Sequence, residues 1–329
     1  MIISVINNMS STLIKKTVLF EKIIPDNTVP RKLAIEASQK RLALQDALNT
    51  EDLVRIIKDV EAYRKSFKPV LDLLEQNRAR ALLLEQPQFE WQWEGDNKHM
   101  SSCWIWESIM THATGYYSNY NLGVKLAGDQ DYKGASKCFD LAGKYAITIY
   151  KNILPLWKWK ETPGINLATP KFWQSKLYYM YSIKDICTLQ FGLISDKGIQ
   201  NKPALRLLCR AEGYNNKSMI NWFDKNNETL MNWTRTARAF FNSEMNADDE
   251  KYGIAIGTAR AWENILEQLI KESQLRTIMN ALTTKLYEIV NSIDNWESSN
   301  SYVHHEVITR ETLEEITSIE EIKNEITVL

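Results

Sequence analysis

The stretch LGVKLAGDQDYKGASKCFDLA, residues 122–142, decides the fold. Its residues Leu122, Gly123, Ala135, Phe139 and Ala142 fall at the spacings of a tetratricopeptide helix pair. In such a pair small residues let two antiparallel helices approach, and the Phe ring fills the gap. Gly128, Asp129 and Gln130 form the turn, so one helix is expected over residues 103–127 and a second over 131–153. No further copy recurs at a fixed period of about 34 residues, which favours irregular stacked antiparallel helices over a repeat array.

The same helical spacing continues on both sides. Apolar residues recur over residues 31–49 and again over 50–76, where Leu53, Ile56, Ile57, Val60 and Tyr63 form one stripe. Thr50 is the expected N-cap of the second of these helices, with Glu51 and Asp52 in its first turn. Beyond the central pair, helices are expected over 171–192, 202–212, 218–246, 249–272 and 274–295. Two interruptions stand out. Phe89-Glu-Trp-Gln-Trp-Glu-Gly95 reads as a loop or short extended piece pinned by its rings, and Trp157 and Trp159 lie in a connection ending at Pro170. Before Pro30, β-branched runs around residues 2–6 and 17–24 read as extended edge segments. The expectation is a mainly α chain of one domain, residues 1–329: an extended segment 1–29, a helical body 30–295 and an extended segment 296–329 with a short acidic amphipathic end.

With 44% hydrophobic and 25% charged residues but only 12 Gly and 8 Pro, the chain can bury a large helical core. Its 40 basic and 41 acidic residues are well mixed, which argues against a nucleic-acid footprint. Cys103, Cys138, Cys187 and Cys209 show no CxxC spacing and read as reduced core residues, consistent with a cytoplasmic setting. The apolar run at residues 1–6 is too short for a signal peptide, and without one the glycosylation sequons at Asn8, Asn227 and Asn232 carry little weight.

Catalysis needs a convergent set of acids, bases or nucleophiles, and the sequence offers little. The four histidines are His99, His112, His304 and His305, with no HExxH or H-x3-H spacing for a metal. No GxGxxG, Walker loop or GxSxG is present. His112 reads as a hydrogen-bonded core or rim histidine. Glu107, in an apolar helical segment beside Trp106, has the setting of a buried general acid, but a paired structural carboxylate is the preferred reading. No enzyme activity, cofactor, metal or small-molecule substrate is expected.

Three features in order are similar to the BRO-one domain family of ALIX and its relatives. They are Phe89-Glu-Trp91, then Glu107-Ser-Ile-Met-Thr-His-Ala-Thr-Gly-Tyr-Tyr117, then the Ala-rich helix from Ala135 to Gly143. Asp294-Asn295 followed by Asn300-Ser-Tyr-Val-His-His-Glu306 resembles the family's closing segment. The resemblance implies a banana-shaped, elongated helical domain with a tetratricopeptide-like middle. It also implies an adaptor of the ESCRT machinery whose concave apolar groove receives the C-terminal amphipathic helix of an ESCRT-III subunit.

Carried over residue by residue, the resemblance places the groove at Asp129, Cys187, Ala204, Leu205 and Leu208, with Cys187 where the family has Phe. That exchange removes apolar contact of about 1–3 kcal/mol. His304 falls at a tyrosine that docks kinases in some relatives, so phosphotyrosine signalling is not expected. With no coiled-coil arm, Pro-rich tail or CaaX box, the chain resembles a short stand-alone member recruited to endosomal membranes by its partner or a surface patch. The competing reading is a tetratricopeptide-type scaffold with a different protein partner.

Overall fold

The computed structural model describes residues 12–24, 28–76, 88–92, 98–157, 166–222 and 224–309. The expected extended run at residues 2–6, the tail beyond 309 and Trp159 lie outside them. The described chain contains ten α-helices and one small sheet, so it is mainly α as the periodicity predicts. Its described residues divide into two compact units: those up to Leu122 with Leu141–Gln174, and Gly123–Asp140 with Ser175 to Thr309. No described helix is long and apolar enough to cross a membrane.

In the first unit, β1 (Leu13–Ile14), β2 (Phe89–Gln92) and β3 (Lys98–Ser101) form an antiparallel sheet in that order. Ile14 lies opposite Trp91, and Phe89 opposite Ser101. Strand alternation turns Phe89 and Trp91 to the same face, where both are fully buried. The rings therefore do pin this segment, as expected. The extended run expected at 17–24 is instead partly helical. Phe20–Ile23 forms one turn, α1, because the Phe20 amide donates to Ser38 Oγ (2.7 Å) and its ring packs against Phe67 and Trp104 at centroid distances of 5.5 and 5.3 Å.

Helix α2 (Arg31–Leu48) packs on α3 (Leu53–Gln76), which buries the predicted Ile56, Val60 and Tyr63. The cap of α3 is Asp52, not Thr50. Asp52 Oδ1 accepts from the amides of Val54 and Arg55, both at 3.1 Å, while the Thr50 hydroxyl turns back to the Ala47 carbonyl. A carboxylate two residues nearer the helix start outcompetes the hydroxyl for those orphan amides.

Helices α4 (Trp104–Gly128), α5 (Tyr132–Thr148) and α6 (Pro170–Ile194) follow, and the division between units falls within each of the three. A π-helical turn, Ile149–Ile153, extends α5. At the centre of the first unit, the carboxylate of Glu107 is sealed from water. Arg41 Nε and Tyr63 Oη donate to Oε1, each at 2.7 Å, and Trp91 Nε1 donates to Oε2 at 2.6 Å. Helices α2, α3 and α4 and strand β2 thus converge on one anion. Every donor is structural, in keeping with the paired role preferred for Glu107. His112, one turn further along α4, is buried with Nδ1 at 2.8 Å from the Ser108 carbonyl and its ring against Tyr145, and burial lowers its pKa to about 4.

The second unit continues with α7 (Asn201–Asn221), α8 (Lys225–Asp248), α9 (Tyr252–Glu272) and α10 (Asn280–Ser299). Each packs on the next, and α10 also touches α8. Helix α7 runs nine residues past its expected end at Glu212, because Gly213 is buried within the helix rather than ending it. The stop comes where Asp224 caps α8 through the Asn226 amide at 2.9 Å. Buried Glu212 holds α7 to α8 through Arg235 (3.0 Å) and Arg238 (2.9 Å). In the same unit a Cβ at Gly123 would strike the Phe139 ring, so the close approach read from residues 122–142 is present.

After α10, a π-helical turn at Asn300–His304 ends on His305, whose φ of 53° is left-handed. Asn300 then clamps the Glu306 backbone with two hydrogen bonds of 2.9 and 2.8 Å. The Glu306 carboxylate accepts from the Gly253 amide at the start of α9 (2.7 Å), and the Thr309 amide donates to the Gly253 carbonyl (3.2 Å). This strap crosses so close that a Cβ at Gly253 would collide with the Val307 carbonyl.

Candidate functional site

The face formed by α5, α6 and α7 in the second unit is the candidate binding surface. On α6, Tyr181, Lys184, Thr188 and Phe191 recur at intervals of three and four residues and therefore share one side of the helix. Along α5 this side meets its partners in antiparallel order. Lys184 Nζ bonds Asp140 Oδ1 (2.5 Å), Thr188 Oγ1 lies 3.3 Å from Ser136 Oγ, and Lys133 Nζ sits 5.9 Å above the Phe191 ring.

The other flank of α6 meets α7 in the same fashion. Asp185 receives both arms of Arg210, each at 2.6 Å. Tyr214 lies against Tyr181 and stacks on Tyr178 at centroid distances of 5.8 and 6.4 Å, and Lys217 covers Tyr178. Burial raises the Asp185 carboxyl above its ordinary pKa, and Arg210 opposes the rise by favouring the anion. Behind this face, α10 is anchored at its first turn: the Ala281 amide donates to Tyr132 Oη (3.1 Å) and the Leu282 amide to Gln190 Oε1 (3.3 Å).

The face is amphipathic. Phe191 is 42% exposed, Ile194 49% and Thr188 also exposed, while Tyr178 and Tyr214 are half-buried. Exposed Lys133, Lys137 and Arg206 and half-exposed Arg210 give it a basic rim. Among the described residues no cluster of His, Cys, Asp or Glu could hold a metal, and the four cysteines are free.

The residues expected in the groove separate into two groups. Asp129 is exposed in the turn between α4 and α5, and Leu205 is half-buried. Cys187 is 1% exposed, and Ala204 and Leu208 are fully buried, so these three are core side chains in this structure. Burial also pushes the Cys187 thiol well above its ordinary pKa. The sequence reading did not single out the more open residues beside them, Thr188, Phe191 and Tyr214. The polar pair Lys184 and Thr188, four residues apart on one side of α6, was the available signal.

No family model matches the sequence, and no curated protein matches it either. Solved structures do. The crystal structure of ALIX in complex with the SIVmac239 PYKEVTEDL late domain superimposes with a TM-score of 0.70 and 14% identity over 97% of this chain. This chain spans 50% of the length of that ALIX chain. A Bro1 domain structure that describes the basis for endosomal targeting gives 0.70 and 11% identity, covering 96% of this chain and 91% of that one. The complex of the ALIX BRO1 domain with CHMP4C gives 0.67 and 13%, covering 97% of both.

Proposed function

We propose that this chain, which has the fold of a Bro1 domain, is a non-enzymatic adaptor that binds the C-terminal amphipathic helix of an ESCRT-III subunit and acts in endosomal sorting, membrane remodelling or budding. The observation that carries the reading is the likeness, over nearly the full length of both chains, to a BRO1 domain solved with CHMP4C. The α5–α6–α7 face supports it physically. An incoming helix would lay its apolar side on Phe191, Ile194 and Tyr214 and place polar groups against Lys184, Thr188 and Arg210. In this reading Cys187, Ala204 and Leu208 form the floor beneath the contact, Leu205 lies at its flank, and Asp129 stands at the rim. The adaptor works from the cytoplasm, is recruited to endosomal membranes, and takes residues 1–329 as one domain.

Binding of labelled ESCRT-III C-terminal helices, followed by fluorescence anisotropy, tests the proposal. Affinity of about micromolar strength is expected. The control is Phe191→Asp, because a charge at fully buried Leu208 would unfold the unit rather than empty the face. Absence of binding across a panel of helices would remove the adaptor reading. The alternative, a scaffold with another protein partner, has its own motivating feature: the strap after α10 exposes Tyr302 (84%), Val303 (70%) and Val307 (81%). If Val307→Asp abolishes capture of a partner that Phe191→Asp leaves intact, the scaffold reading gains.

A further inference from the structure

Helix α7 carries a second surface, on the side turned away from its buried residues Ala204, Leu208, Ala211, Asn215 and Ser218. At about 100° per residue, Lys202, Arg206, Arg210 and Lys217 fall within an arc of about 80° on that outer side. Lys202 and Arg206 are exposed, Arg210 is half-exposed and Lys217 half-buried. No acid interrupts this crest, because the one acidic residue of α7, Glu212, is buried against Arg235 and Arg238.

The crest ends on Ile220, about 27 Å from Lys202 along the helix and on the same side of it. At 79% exposed, Ile220 is the most open large apolar side chain on any α-helix among the described residues. It stands one turn beyond Lys217, and exposed Lys225 follows at the start of α8. An aliphatic side chain left in water among cations has a physical use where headgroups are anionic and hydrocarbon lies just beneath them. Other anionic ligands fit less well. A partner helix needs a groove, whereas a helix crest is convex. A nucleic-acid strand needs rings to stack on, and the nearest, Tyr178 and Tyr214, are stacked on each other towards α6. The chain's net charge of −1 supplies no general attraction to anions, so the attraction has to come from the local row.

We infer that the α7 crest is a peripheral contact for an anionic lipid bilayer, with Lys202, Arg206, Arg210 and Lys217 at the headgroups and Ile220 below them. This contact does not depend on the helix-binding reading, and the two surfaces meet along Arg206 and Arg210. Each cation held near such a surface strengthens binding about fivefold, and burial of the isoleucine about tenfold. Contacts of this size give reversible attachment, in keeping with a chain in which no described helix could cross a bilayer.

The test is flotation of the full chain with vesicles of phosphatidylcholine alone and with vesicles of phosphatidylcholine mixed with phosphatidylserine. Binding to the mixed vesicles only is expected, and it should weaken as salt is raised. Lys202→Gln/Arg206→Gln, at two exposed positions where folding is not at stake, should lower the affinity about 25-fold, and Ile220→Ser about tenfold. Two controls should leave it unchanged: Lys40→Gln/Lys58→Gln, which removes the same charge from exposed positions of the first unit, and Phe191→Ser on the neighbouring face. Equal binding to both vesicles, no binding to either, or a loss in either control as large as in the crest variants would overturn the inference. So would an affinity that answers to Lys202→Gln/Arg206→Gln, ignores Ile220→Ser and is matched by soluble poly-glutamate, since the crest would then be a site for an acidic protein.

Discussion

The Glu107 centre of the first unit and the α5–α6–α7 face of the second both set carboxylates beside cations, yet they are built for different ends. Around Glu107 every partner is itself buried, and Arg41, Tyr63 and Trp91 satisfy both oxygens. On the α6 face, Lys184 with Asp140 and Arg210 with Asp185 each keep at least one partner a quarter or more exposed. The first arrangement fixes four elements around one charge. The second leaves its charges reachable and the Tyr178 and Tyr214 rings half-covered, as the proposed recognition role needs.

The sharpest way to break this contrast is Glu107→Ala. It leaves the Arg41 guanidinium buried without a counter-ion, and a loss of about 3–5 kcal/mol in urea unfolding is expected. A loss below about 1 kcal/mol would show that the centre is not the keystone described. Tyr63→Phe, which removes one hydrogen bond to the same carboxylate, should cost only about 1–2 kcal/mol.

The next effect in size comes from His112. Its pKa is lowered to about 4 from 6.5, mainly by burial, so the folded state prefers the neutral ring. The unfolded chain takes up a proton between these values and the folded one does not. Stability from this group is full above pH 6.5 and falls by about 3 kcal/mol as the pH drops to 4. Urea midpoints measured across that range should lose this slope in His112→Gln.

The proposed binding face should respond in the opposite sense. Phe191→Asp is expected to change unfolding free energy by no more than about 0.5 kcal/mol while weakening an ESCRT-III helix at least about tenfold, read by anisotropy. Lys184→Ala should give the smallest effect, about 0.5 kcal/mol or less in stability, because its ion pair with Asp140 is half-solvated. A Phe191→Asp protein that unfolds would erase the distinction between the two regions.

The sequence anticipated the helical framework because helical periodicity is a local property of long segments. Helices α2, α3, α4, α6 and α9 lie close to their expected spans. The mistakes are equally physical. Thr50 and Asp52 are both good caps, and only the direction of the chain at Glu51, whose φ is 57°, decides between them. The helix expected to end at Glu212 runs on, with Gly213 buried inside it. On the α5–α6–α7 face, a helix turns about 100° per residue, so neighbouring positions differ between core and surface. Cys187 and Leu208 are buried, whereas their sequence neighbours Thr188 and Leu207 are not. Periodicity located the helices, whereas which side chains of α6 are open depends on the packing of α5 and α7 against it.

The strap over α9 leaves a mark that a bare sequence can carry. Since the Val307 carbonyl takes up the space beside Gly253, even a methyl group at that position is incompatible with the crossing. Among chains of this fold, those with alanine or anything larger there must route the run after their last helix along another path. A larger residue at this position therefore marks, in the sequence itself, a chain that lacks this crossing.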